Sequence, residues 1–158
     1  MPIAREELRL TPAELDDLMS STRTLRVGTV SSDGWPHVVP LWFIWQDGSI
    51  WINSLKRSKR ARDVEAGSPV ALCIDAGEEY QELRGAVLYG RFQDVSDEDP
   101  TLKTIRMMFG AKYWGGIDVP ALRSHQWLRL TPERIVSWDF RKIPAGRDKR
   151  LEAVREAD

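Results

Sequence analysis

With 158 residues, 42% of them hydrophobic and 30% charged, the chain has the length of one domain and the composition of an ordinary globular protein. A net charge of −1 excludes a whole-molecule field that draws nucleic acid or an anionic membrane, and the longest apolar run, Val38 to Trp45, is far too short to span a bilayer. Arg5, Glu6 and Glu7 stand where a signal peptide needs an apolar stretch, and the single cysteine, Cys73, forbids an intrachain disulfide, so the expected compartment is the cytoplasm.

The first element in chain order is a helix. Thr11 caps it, Pro12 takes the first helical position and Glu14 completes a capping box, with Leu15, Leu18 and Met19 on one face. Leu25, Val27 and Thr29 then alternate as a strand, and Ser31 to Gly34 supplies a turn. Trp35 to Trp45 reads as one extended strand, turned at Gln46-Asp47-Gly48 into Ser49 to Ser54. Pro36 and Pro40 place an edge, a bulge or a bend in that strand. Val38 to Trp45 does not alternate, so it must be covered on both sides, by a helix of this chain or by a second subunit. Of these two, a homodimer is the expectation carried forward.

A short helix is expected from Ser58 to about Ala66, then a strand from Val70 to Asp75 and a long strand from Tyr80 to about Phe92. Asp97 or Asp99 caps a further helix, Pro100 to Phe109, that buries Leu102, Ile105, Met108 and Phe109. Closing strands are predicted at Gln126 to Leu130 and Ile135 to Trp138, followed by a charged tail, 147–158. Six or seven short strands without strand-helix alternation predict a mainly β chain, a single domain built as an antiparallel barrel with capping helices.

Absent motifs narrow the chemistry. There is no G-x-G-x-x-G, no phosphate-loop signature, no H-E-x-x-H and no paired cysteines, so no bound metal is expected. The two histidines, His37 and His125, read as strand residues with satisfied rings. A reactive group, if the chain is an enzyme, is therefore brought by a cofactor.

The most informative stretch is Asn53 to Arg62. Five of the seven residues from Lys56 to Arg62 are basic, with no acid, where a strand gives way to a helix. Free N–H groups and the positive end of a helix dipole favour an anion there, arginine forks match phosphate oxygens, and Ser54 and Ser58 bring hydroxyl donors. The alternative reading is a solvated basic helix face.

At these residues the sequence resembles the pyridoxamine 5′-phosphate oxidase-like split-barrel superfamily. The resemblance runs through Thr29, Asp33-Gly34-x-Pro36-His37-Val38-Val39-Pro40-Leu41-Trp42-Phe43, Asp47-Gly48-x-Ile50 and Arg57-Ser58-Lys59. It continues through Val70 to Asp75, Leu83-Arg84-Gly85 and Arg134 to Asp139, about residues 10 to 142 in all. The chain is most similar to the flavin/deazaflavin oxidoreductase B group, which implies a homodimer with cofactor sites at the interface. The resemblance implies that Arg57 and Lys59 hold the cofactor phosphate with Ser58 and Arg60 assisting, beside Asn53 and Ser54. It places the redox ring against Val39, Pro40, Leu41 and Trp42 and an aromatic, Tyr80, near the pocket.

Two cofactors fit, F420 and FMN. Five clustered cations exceed the need of one phosphate and favour F420, whose phosphodiester carries a polyglutamate tail. The expected function is hydride transfer from reduced deazaflavin to a small electrophilic organic substrate. An FMN-dependent oxidoreductase of the same fold and a non-catalytic flavin- or deazaflavin-binding protein are the alternatives. The catalytic residue is open: Tyr80, Tyr113 or solvent can deliver a proton.

Overall fold

The computed structural model describes residues 5–144; the charged tail at 147–158 lies outside them. The first helix, α1 (Pro12–Ser21), forms because both halves of the capping box close: Glu14 donates its backbone N–H to the Thr11 hydroxyl (3.3 Å), and the Thr11 N–H reaches the Glu14 carboxylate (2.7 Å). Lys142 also binds that carboxylate at 2.7 Å and, as the leading cause, holds it below the usual range.

Nine strands follow among the described residues: β1 (Leu25–Val30), β2 (Pro36–Leu41), β3 (Ile44–Gln46), β4 (Ser49–Leu55), β5 (Val70–Ala76), β6 (Arg84–Gly90), β7 (Gln93–Val95), β8 (His125–Leu130) and β9 (Arg134–Asp139). With α2 (Lys59–Glu65) and α3 (Thr101–Tyr113) they make a split β-barrel. One antiparallel sheet has the order β2-β1-β5-β6-β9 and the other β3-β4-β8-β7.

Two expected strands are cut, and for the same reason. Trp35 to Trp45 is not one strand: β2 ends at Leu41, the chain turns at Trp42-Phe43, and β3 begins in the other sheet. Likewise Tyr80 to Phe92 divides into a 3-10 turn (Tyr80–Glu82), β6, a break at Arg91-Phe92 and β7 in the other sheet. Each break is the point where the chain crosses between sheets. The expected bend near Pro40 is therefore present, and β2, with both prolines, is an edge strand.

The barrel core gathers Leu25, Val27, Leu72, Ile74 and Leu88 from one sheet with Ile50, Ile52, Leu128 and Leu130 from the other. A second cluster forms where α3 lays Leu102, Ile105 and Phe109 over Ile44, Trp51 and Trp127 on the outer face of the four-stranded sheet. That helix runs to Tyr113, past the expected end at Phe109; its N-cap position is Pro100, not Asp97 or Asp99, and Asp99, one residue earlier, accepts the Thr101 N–H (2.8 Å). The outer face of the five-stranded sheet has no such cover among the described residues: Val38 is 63% exposed and Val136 45%. The doubly apolar segment is thus served twice over. Its Ile44 end is buried by α3, and its Val38 end is bare. No helix among the described residues is long and apolar enough to cross a membrane.

Candidate functional site

The end of β2 opens onto a cleft of about 460 Å³ lined by Thr24, Pro40, Leu41, Trp42, Asn53 and Phe109. The same bend that separates β2 from β3 builds its aromatic wall. Trp42, 44% exposed, stacks on Tyr113 with 4.6 Å between ring centroids and 9° between planes, and Phe109 tilts against both. The Tyr113 hydroxyl accepts the Phe43 N–H (3.0 Å) and lies 2.8 Å from the Phe43 and Arg23 carbonyls, one of which receives its proton. Burial raises its pKa. Tyr113 therefore pins the bend and holds its proton. Across the cleft, the buried Asn53 Oδ1 has no hydrogen-bond partner, an acceptor awaiting a donor.

One residue further along β4, the basic turn begins. Ser54 is fully buried, and its hydroxyl accepts a hydrogen bond from Arg60 Nη2 at 2.9 Å. Arg60 is 6% exposed, its Nε has no partner, and among the described residues it has no carboxylate within ion-pair distance. Burial lowers its pKa. A guanidinium with five donors and one serine bond lacks a counter-ion. Ser58 is the N-cap of α2, accepting the Ala61 N–H at 3.1 Å. Lys59 leans onto Asp63 at 3.5 Å, and Arg57 points to solvent with Lys56 and Arg62, all three without an ion pair among the described residues.

Asn53, Pro40, Leu41 and Trp42 thus meet at one cleft, with Ser54, Ser58 and Arg60 at the adjoining turn, while Val39 packs into the barrel core. Tyr80 does not line the cleft; it is 48% exposed and packs on Phe140 at 5.0 Å. Sequence reading missed Thr24 and Phe109 in the cleft wall. Phe109 carried a signal, because its helical face was read as core, but nothing in its spacing told core from cleft.

Behind the aromatic wall, Lys112 donates to the Met19 carbonyl (3.1 Å) and lies 4.1 Å from the Phe43 ring centroid. Burial, with the Arg23 charge adding, pushes its pKa down to about 8. Since the unfolded lysine stays protonated to about pH 10.4, the cost of burying this charge is fully present below pH 8 and fades above it. Between those limits the unfolded chain binds more protons, so stability contributed by this group rises with pH. The melting temperature of wild type relative to Lys112→Met should therefore climb between pH 8 and 10; a pH-independent difference would refute the buried-charge account.

This fold is shared with known proteins. The family model of pyridoxamine 5′-phosphate oxidase matches residues 11–139. The chain belongs to that family. No curated protein sequence matches it significantly. Among solved structures, the conserved hypothetical protein Rv2991 from Mycobacterium tuberculosis superposes with a TM-score of 0.79 at 26% identity, covering 89% of this chain and 92% of its own. A FAD-binding protein from Mesorhizobium loti matches with a TM-score of 0.64 at 21% identity over 81% of this chain and 94% of its own. An F420 reductase matches with a TM-score of 0.61 at 18% identity over 76% and 94%. The last two likenesses show the fold of the family, a split barrel found in proteins of this superfamily.

Proposed function

We propose that the chain is an oxidoreductase that binds F420, with FMN as the alternative, and passes a hydride to a small electrophilic organic substrate. The observation that carries this reading is Arg60: a buried guanidinium without a counter-ion among the described residues, beside a cleft with an orphaned acceptor. A phosphate oxygen supplies the missing charge, and a planar ring with an N–H edge suits Asn53 and the Trp42 wall.

The ring, when bound, supplies the electron pair. The residues of this chain hold and orient it. Arg60, Arg57 and Lys59 grip the phosphate end, while Pro40, Leu41, Trp42 and Asn53 line the ring end. Ser54 and Asn53 are neighbours on β4, so successive side chains of one strand serve the turn and the cleft. Lys56, Arg57 and Arg62 are cations beyond those occupied by Ser54 and Asp63, which supports the longer anion, F420. Tyr113 is committed to backbone and Tyr80 stands outside the cleft, so this reading leaves proton delivery to solvent.

The bare face of the five-stranded sheet supports a homodimer. Across it Val38 stands opposite Gly28, Gly28 opposite Ala71 and Ala71 opposite Tyr89, and half-buried Cys73 and Val87 pair in the next row, where Arg26 is opposite Cys73. Val38→Glu should convert a dimer to monomer in light-scattering chromatography; a monomeric wild type would overturn this part of the reading.

The function is tested by titrating oxidised F420, followed by its fluorescence, against wild type and an Arg57→Ala, Lys59→Ala double variant. Affinity should drop by about tenfold or more in the variant. Retained yellow FMN on purification assigns FMN instead. Turnover of activated enones or quinones with reduced cofactor then separates an enzyme from a carrier, and tight binding with no turnover decides for the carrier.

A further inference from the structure

A second polar cluster adjoins the basic turn. Thr29 on β1 stands directly across from His37 on β2, and Asp63 of α2 lies against both. Asp63 is 6% exposed. Its Oδ2 accepts the Thr29 hydroxyl at 2.8 Å, and Lys59 Nζ sits 3.5 Å from Oδ1. His37 Nδ1 is buried, has no hydrogen-bond partner among the described residues and lies 3.9 Å from Asp63 Oδ2. A carboxylate with spare acceptor sites and an imidazole with a buried, unmatched nitrogen face each other about one ångström beyond bonding distance. His37 is thus not the satisfied strand residue expected from the sequence.

Tying α2 to β1 requires only Thr29. It does not require a histidine with one edge toward a buried carboxylate and the opposite edge, in a side chain 27% exposed, toward the outside. Lys59 Nζ lies 3.5 Å from one oxygen of this carboxylate and His37 Nδ1 3.9 Å from the other, so Asp63 links the histidine to a lysine of the basic turn. Resting on the phosphate reading above, we infer that His37 is a further anion-binding residue of this site, donating through Nε2 to the cofactor phosphate, with Asp63 as the positioning residue that receives Nδ1–H. The charged group facing the ring is Asp63 on α2, which Lys59 approaches from its other oxygen; Thr29 is the neutral neighbour on β1. The pair acts as carboxylate-oriented imidazoles do elsewhere: one nitrogen fixes the ring and the other meets the ligand.

The test compares ligands with and without phosphate: F420 against its phosphate-free deazariboflavin fragment, and FMN against riboflavin. Wild type should prefer the phosphorylated member of each pair. His37→Ala should cut that preference about tenfold, the worth of one charge-assisted hydrogen bond, and leave the phosphate-free affinities unchanged. His37→Gln, which keeps an N–H donor, should show a smaller loss in the same direction, and it carries the comparison should alanine loosen the β1–β2 hairpin. Asp63→Asn should reduce the preference in wild type, and that reduction should vanish in the His37→Ala background. An undiminished preference in both His37 variants overturns the inference. An equal effect of Asp63→Asn in both backgrounds removes Asp63 from the positioning role. A wild type that binds both members of each pair equally overturns the phosphate reading itself, a different failure.

Discussion

Arg60→Met lowers affinity for the phosphorylated cofactor by about 100-fold while the protein melts at the same temperature or higher; that pair of results is expected because of how the side chain is buried. Removing a guanidinium from water costs several kcal/mol unless a partner of opposite charge compensates it. Arg60 is 6% exposed and, among the described residues, has one hydrogen bond, to Ser54, and an unpartnered Nε. Methionine fills similar volume without the charge, so the free protein loses little and is relieved of the desolvation cost. The bound state loses about two charge-assisted hydrogen bonds made in a site shielded from water, each about 1.5 kcal/mol or more, which together give the 100-fold. Arg57 is exposed and Lys59 is already shared with Asp63, so each should matter less than Arg60. Cofactor fluorescence titration and thermal melts of the same samples check both halves. Unchanged affinity sinks the anion role of Arg60, and a fall of many degrees in melting temperature makes it a structural residue instead.

The sequence showed the cluster but ranked its members by resemblance, placing Arg57 and Lys59 first. A direction was available. Val64 is the apolar residue of this short helix that packs on the barrel core, and Arg60 stands four positions before it, on the same face. Counting charge gave the turn; helical spacing would have given the residue. The Thr29–Asp63–His37 cluster was harder to foresee, since it needs the register of β1 against β2 and the landing of α2 on both. Thr29 was placed inward by its alternation with Leu25 and Val27, but no local signal pointed Asp63 at it. The strand breaks at Trp42-Phe43 and Arg91-Phe92 were invisible for a related reason. The first segment is apolar on each side of the break, because the chain leaves one buried face and enters another, and period-two alternation has nothing to report there; the second passes into exposed Gln93-Asp94, and a three-residue strand is too short to show a period. Pro40 alone marked the first break, and it fell within two residues of the true position. Tyr80 was assigned to the pocket by resemblance, with no observation of its own, and it stands outside both the cleft and the basic turn, packed on Phe140.

Gly110→Ala should cost about 3 kcal/mol of stability and lower the melting temperature by about 6–12 °C. A methyl at Gly110 would fall 2.2 Å from the Ile117 carbonyl oxygen and 2.9 Å from its carbon. Both are backbone atoms of the segment that folds back along α3, so no side-chain rotation relieves the clash. The segment is held there from the other side as well, since the Gly110 carbonyl accepts the Trp114 and Gly116 N–H groups, each at 2.9 Å. Gly115 and Gly116 supply the positive φ angles, 63° and 92°, that the return requires. Pushed away, the segment would draw Val119, 3% exposed, out of the cluster it shares with Ile105 and Phe109. Phe109 also lines the cleft, so cofactor affinity should weaken along with stability, which chemical denaturation and the same fluorescence titration can follow together. Gly34→Ala is the control: its φ of 83° strains alanine, but nothing lies within 4 Å and the turn is far from α3 in sequence, so stability should fall modestly and affinity should hold. If Gly110→Ala cost no more than Gly34→Ala, the clash with the Ile117 backbone would be refuted as its cause, since Gly110 has an ordinary helical backbone. The glycine is a place where packing, not flexibility, demands the smallest residue, and it joins a surface segment of no regular structure to the aromatic wall of the cleft.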